Sequence, residues 1–163
     1  MFNEAQKYIS ENREQVIDLL ADFAQTDVLL FLCPDAKIRK MQEQKWLPVL
    51  AQINQNLNTV FKADEALNVL PENKKSAEIF KNELRTLSLK QLTALYLAAT
   101  NLKSPLLGFA MLQQKMTAAE AFDLAYLEEL CQNEQWGEDA EALNKRRQVF
   151  EVLQQIEDYI KND

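Results

Sequence analysis

Only two of the 163 residues are glycine, Gly108 and Gly137, and only four are proline. A chain built of many strands needs frequent tight turns, and those turns need residues that tolerate positive φ. With so few, and with Leu, Ala, Gln, Glu and Lys abundant, the chain is expected to fold as helices joined by short connections. The expected class is all-α: a single-domain bundle of about six to eight helices spanning 1–163. That length is close to the roughly 100 to 150 residues of one domain.

Apolar spacing places the elements. Val16, Leu19, Leu20, Phe23 and Ala24 share one helical face, which predicts a first helix from about Asn3 to Gln25. The run Val28 to Cys33 is short enough to be a buried strand or a continued helix, and Pro34 ends it either way. Asp35 is placed to cap a helix bearing Ile38, Met41 and Trp46, and Pro48 is expected to open another. The stretch 58–71 has no clear period and reads as an irregular connection. Ala77, Phe80, Leu84 and Leu87 then mark a helix, and Ser88-x-x-Gln91 is a capping box for the next. Ser104-Pro105 restarts or kinks that helix. A second box, Thr117-x-x-Glu120, opens a helix expected to run on to a stop at Gly137, and a last helix covers about Asp139 to Lys161.

Composition removes many functions. The chain has no histidine, so Ser-His-Asp and Cys-His catalysis and the usual zinc and di-iron ligand sets are out of reach. Two glycines cannot build a phosphate-cradling loop or a dinucleotide fingerprint. The net charge of −7 repels phosphate backbones, and no nucleic-acid partner is expected. The apolar run Val28 to Cys33 is far below the roughly 20 residues of a spanning helix, so no membrane is expected either. Cys33 and Cys131 match no metal or redox spacing and read as buried free thiols, which suits a reducing compartment. The amino terminus lacks the features of a signal or transit segment, so the chain is expected to act where it is made. No metal and no cofactor is expected.

One charge anomaly stands out. Glu120, Asp123, Glu128, Glu129, Glu134, Glu138, Asp139 and Glu141 follow one another between Thr117 and Glu141 with no Lys or Arg among them. Like charges on neighbouring turns repel by roughly 0.2–0.5 kcal/mol per pair. Either these acids form a solvated face, partly favoured by helix dipoles, or they form a docking surface for a basic or polar partner. Paired carboxylates such as Glu128 and Glu129 can also serve acid–base chemistry, given a cleft. Trp46 and Trp136 each stand beside polar residues, and either core packing or an interface anchor would account for them.

Several segments together resemble a known family. They are Asn101-Leu102-Lys103-Ser104, then Ala118-Ala119-Glu120-Ala121, then Leu127-Glu128-Glu129-x-x-Gln132-x-x-x-Trp136-Gly137, followed by Glu138-Asp139-Ala140-Glu141-Ala142 and Arg146-Arg147. Upstream, Thr26-Asp27-Val28-Leu29 and the Gln42 to Leu50 segment fit in the same order. The pattern is similar to the chaperones that bind the α subunit of F-type ATP synthase during assembly, the ATP-twelve family of mitochondria and alphaproteobacteria. It is similar to the bacterial members in particular, and it covers their C-terminal helical domain.

The resemblance implies a non-enzymatic role: holding the unassembled α subunit and shielding its β-facing surface until the catalytic head is built. It implies Glu129 first, then Glu128, Gln132, Trp136, Lys103 and Ser104, as client-binding residues, although the last four also read as a packing and capping cluster. A cytoplasmic monomer in a bacterium is expected, with the mitochondrial matrix as the alternative compartment. A helical adaptor that kept the fold but not the client is the alternative function. Three departures accompany the match. Nothing ahead of the first helix in this sequence matches the family's β-rich N-terminal domain, which is expected either to have been cut from this chain or to have been lost, its Thr-x-Gly-Ile turn is missing near Asp64-Glu65-Ala66-Leu67, and Pro105 should bend a helix that is usually continuous.

Overall fold

The computed structural model describes residues 1–65, 68–137 and 139–162, and of Gln135 and Trp136 the backbone only. Among the described residues there are nine α-helices: α1 (Phe2–Glu11), α2 (Arg13–Ala24), α3 (Ala36–Leu57), α4 (Pro71–Leu84), α5 (Leu89–Leu102), α6 (Pro105–Leu112), α7 (Ala118–Ala125), α8 (Leu127–Trp136) and α9 (Ala140–Lys161). A single 3-10 turn, Val28–Leu30, lies between α2 and α3. The all-α expectation holds. The count exceeds six to eight because two stretches expected as single helices are each divided.

The first division is at Asn12, with φ −134° and ψ 35°. Its side-chain amide donates to the Tyr8 carbonyl at 2.9 Å, a local bond that competes with helix continuation. The bend lets α1 pack on α5 while α2 packs on α4. Arg13 reinforces it from the α2 side, donating to the Leu87 carbonyl at 2.6 Å just past the end of α4. The second division is at Tyr126, φ −103° and ψ 16°, inside the stretch expected to run unbroken to Gly137. There the Leu124 carbonyl accepts from the indole nitrogen of fully buried Trp46 at 2.8 Å, and the Tyr126 hydroxyl donates to the Asn101 carbonyl at 3.1 Å. These two tertiary bonds, one through a side chain from α3 and one to α5, compensate for the interrupted helix.

Pro48 corrects a third expectation. It lies inside α3 and opens no new helix. Proline removes one i to i−4 bond, at about 3 kcal/mol or more. The loss falls on the carbonyl of exposed Gln44, where water can replace the donor. Burial of Ile38 and Trp46 before Pro48, and of Leu50, Ile53 and Leu57 after it, holds both halves against the core as one helix.

The irregular connection after α3 appears as expected, and the side-chain amides of half-buried Asn54 and buried Asn73 hold it. Asn54 accepts from the Phe61 amide and donates to the Phe61 carbonyl, both at 2.9 Å. Asn73 does the same for Lys62 at 2.7 and 2.9 Å, and Ser76 accepts from the Val60 amide. Asp64 then pairs with the segment after the 3-10 turn, accepting from the Leu32 amide at 2.9 Å. The run Val28 to Cys33 is therefore neither strand nor helix throughout: a 3-10 turn passes into an isolated bridge between Phe31 and Asp64. Ala66 and Leu67 lie outside the described residues. Both capping boxes form, Ser88 with Gln91 and Thr117 with Glu120. One buried apolar cluster draws side chains from all nine helices.

Candidate functional site

The family-like segments converge at two places. The first is the α5–α6 junction, where Asp27 and Ser104, distant in sequence, meet in the interior, each fully buried. The Ser104 hydroxyl lies 2.8 Å from both carboxylate oxygens of Asp27 and accepts from the Leu107 amide at 3.0 Å, so it also caps α6. Asp27 accepts further from the amides of Leu29 at 3.0 Å and Leu106 at 2.9 Å. Burial pushes its carboxyl up from 3.8 to about 6, against the lowering effect of these bonds. Lys103 sits between them in a left-handed conformation, φ 56°, which non-glycine residues adopt at a cost. Its carbonyl accepts from the Val28 amide at 3.2 Å, so the 3-10 turn and α6 together fix that backbone. Pro105 ends the continuity of α5, as expected.

Ser104 has no exposure and its hydroxyl is engaged, as the packing and capping alternative expects. Lys103 has an exposed side chain and stays available.

The second place is α8 and its contact with α9. Glu129 accepts from Arg146 at 2.9 Å, and Asn133, one turn on, with its amide oxygen turned toward α9, accepts from both terminal nitrogens of the same guanidinium at 2.9 and 2.6 Å. Arg146 is only 4% exposed, whereas the Glu129 side chain is 43% exposed. The acid thus joins a buried cation to solvent. Glu128 stands beside the Cys33 thiol, which burial, with a smaller contribution from that carboxylate, holds above its ordinary range. Cys131, on the same helix, approaches the Met41 sulfur at 3.5 Å, and both thiols are free and buried as expected. Gln132 is half-buried on α8. The Trp136 side chain and Glu138 lie outside the described residues.

The acidic stretch therefore divides. Glu120 closes a capping box, Asp139 caps α9 by accepting from the Glu141 amide, and Glu129 pairs with Arg146. Asp123, Glu134 and Glu141 are exposed. Beside the paired charges, α7, α8 and α9 enclose an open apolar groove of about 380 Å³, lined by Phe122, Leu130, Leu143 and Phe150 with Asp123 and Arg147. A second groove, of about 270 Å³, lies between α3 and α6 around Pro48, Ile53, Phe109 and Met116. Glu128 and Glu129 line neither one. Among the described residues no group of three or more Cys, Asp or Glu is arranged to hold a metal ion. No described helix is long and apolar enough to cross a membrane.

Sequence reasoning missed Arg146 as a structural partner and Phe122 and Phe150 as the floor of the groove. The Arg146-Arg147 pair was visible in the family-like segment, but nothing in it shows that the two side chains have different surroundings.

The molecule is thus an all-α bundle whose distinguishing surface combines an apolar groove with a charged helix pair. No protein-family model matches the chain, and no curated protein does. Solved structures match closely in shape. The crystal structure of Atp12 from Paracoccus denitrificans superposes with a TM-score of 0.90 at 24% identity, over 98% of this chain and 69% of that one. A mutant of the same P. denitrificans protein gives the same TM-score. A candidate chaperone from Agrobacterium tumefaciens matches with a TM-score of 0.84 at 27% identity, over 97% of this chain and 59% of its own length. At these identities the likeness is first one of fold, and it supports the resemblance to the ATP12 chaperone family read from the sequence.

Proposed function

We propose that this chain is an ATP synthase assembly chaperone that binds the unassembled α subunit of the F-type enzyme and covers its β-facing surface until the catalytic head is built. The observation that carries the reading is the fold shared with Atp12 along 98% of the chain. The family-like segments support it, because they fall on the α5–α6 junction and on α8. In this reading Glu129 is the principal contact, its carboxylate oriented by Arg146 and partly open to solvent. Glu128, Gln132, Trp136 and Lys103 complete the contact surface, and Ser104 fixes the backbone that presents Lys103. The chain acts as a single helical domain and a monomer, in the bacterial cytoplasm, without a cofactor.

The test is co-expression of the host's α subunit alone and with this chain, followed by pull-down and measurement of soluble α. Retention of α and a rise in its soluble fraction are expected. Failure to retain α, with a different protein bound more tightly, would replace the reading with that of an adaptor.

A further inference from the structure

The groove between α7 and α9 has features that folding of this chain does not require. Its floor is formed by Phe122 and Phe150, whose rings meet edge to face at 5.4 Å and stay half-buried, with half-buried Leu130 beside them. At its edge Leu143 is 36% exposed. Leaving such surface wet forgoes about 25 cal/mol per Å². The two walls carry opposite charges, Asp123 on α7 and Arg147 on α9. Both are exposed and neither makes an ion pair among the described residues. The neighbouring Arg146 behaves differently, being drawn inward to Glu129 and Asn133.

We infer that this groove receives an amphipathic helical segment of the client, with apolar side chains on the Phe122–Phe150 floor, a Lys or Arg facing Asp123 and an Asp or Glu facing Arg147. The inference rests on the reading of the chain as an α-subunit chaperone and names where one part of that client is held. Its groove residues on α9, Leu143, Arg147 and Phe150, recur at helical spacing over seven residues, or about 10 Å. That length matches two turns of a partner helix presenting i, i+3 or i+4, and i+7. The open form of the groove suits a polypeptide lying along it. Opposite charges on its two walls distinguish the two sides of the incoming helix, because reversal would place like charges together.

The test uses the full chain and the host's purified α subunit, measuring retention in a titrated pull-down. Three variants are compared, Leu143→Asp, Arg147→Glu and Asp123→Arg, each checked for unchanged helicity and melting temperature. Each is expected to weaken retention of α about tenfold or more. If the unaltered chain retains α and all three folded variants retain it equally well, the groove is not the client's seat, although the chaperone reading survives. If the unaltered chain does not retain α, that reading fails and this inference fails with it. If sedimentation shows a dimer of this chain that Leu143→Asp converts to monomer, the occupant is a second copy and the inference is overturned.

Discussion

Replacing Ser104 with alanine should destabilise the chain more at high pH than at low. The hydroxyl has two tasks. It caps α6, a contribution of about 1 kcal/mol, and it donates to the buried Asp27 carboxylate, where a hydrogen bond to a charged group is worth about 1.5–3 kcal/mol. Asp27 titrates at about 6 in the folded chain and at an ordinary 3.8 otherwise, so its burial favours the native state fully below the lower value. That contribution, about 3 kcal/mol, is lost as pH rises through 6. Because the hydroxyl lowers the native value, Ser104→Ala raises it further and extends the loss to higher pH. The expected penalty is about 1 kcal/mol at pH 4.5, where the cap alone is missed, and about 3 kcal/mol at pH 8. Urea unfolding of both proteins at the two pH values measures it. Equal penalties at both would refute the coupling of Ser104 to a charged Asp27. A variant as stable as the parent that no longer retains α would show that Ser104 contacts the client after all.

Trp46→Phe should cost about 2–4 kcal/mol, because it removes the indole donor from the Leu124 carbonyl at the α7–α8 break and opens a cavity in the core; thermal unfolding checks it. Gly108→Ala places a Cβ 3.2 Å from a Leu95 methyl and 3.3 Å from the Ala99 backbone nitrogen, so the better helix propensity is outweighed and a net loss of about 1–2 kcal/mol is expected in urea unfolding. Glu129→Gln keeps an acceptor for Arg146 and, after discount for the exposure of the acid, should cost about 1 kcal/mol or less while weakening α retention. Glu129→Lys instead sets a second cation against a buried guanidinium, so its melting temperature should fall as well, and circular dichroism separates the two effects.

Helix class, both capping boxes, the Asp35 cap and the Gly137 stop were legible because each is a local signal with a local cause. Gly137 takes φ 85°, and its amide bonds to the Asn133 carbonyl at 2.8 Å, as a helix stop requires. The breaks at Asn12 and Tyr126 were not legible, because distant groups help to fix them: Arg13 reaching past α4, and Trp46 and Asn101 bonding at the α7–α8 turn. Pro48 misled for the same reason, since continuity there is imposed by core residues on both sides of it. The candidate site was legible as a set of segments. Its division between burial and exposure was not, because Asp27 and Ser104 lie 77 residues apart and spacing cannot show that they share a hydrogen bond.

That division bears on how the acidic stretch should be interpreted. Folding alone accounts for Glu120, Asp139 and Glu129, as a capping box, a cap and the partner of a buried arginine. It does not account for Asp123, Glu134 or Glu141, which are exposed, nor for Arg147 left on the wall of an apolar groove. A surface shaped only by solubility would scatter such charges away from apolar side chains, so that Phe122, Leu143 and Phe150 were covered or replaced. Here a wet apolar floor lies between unpaired charges of opposite sign, beside a carboxylate whose direction is set by Arg146. This combination is costly in isolation, and a bound polypeptide that buries the floor and pairs the walls removes the cost.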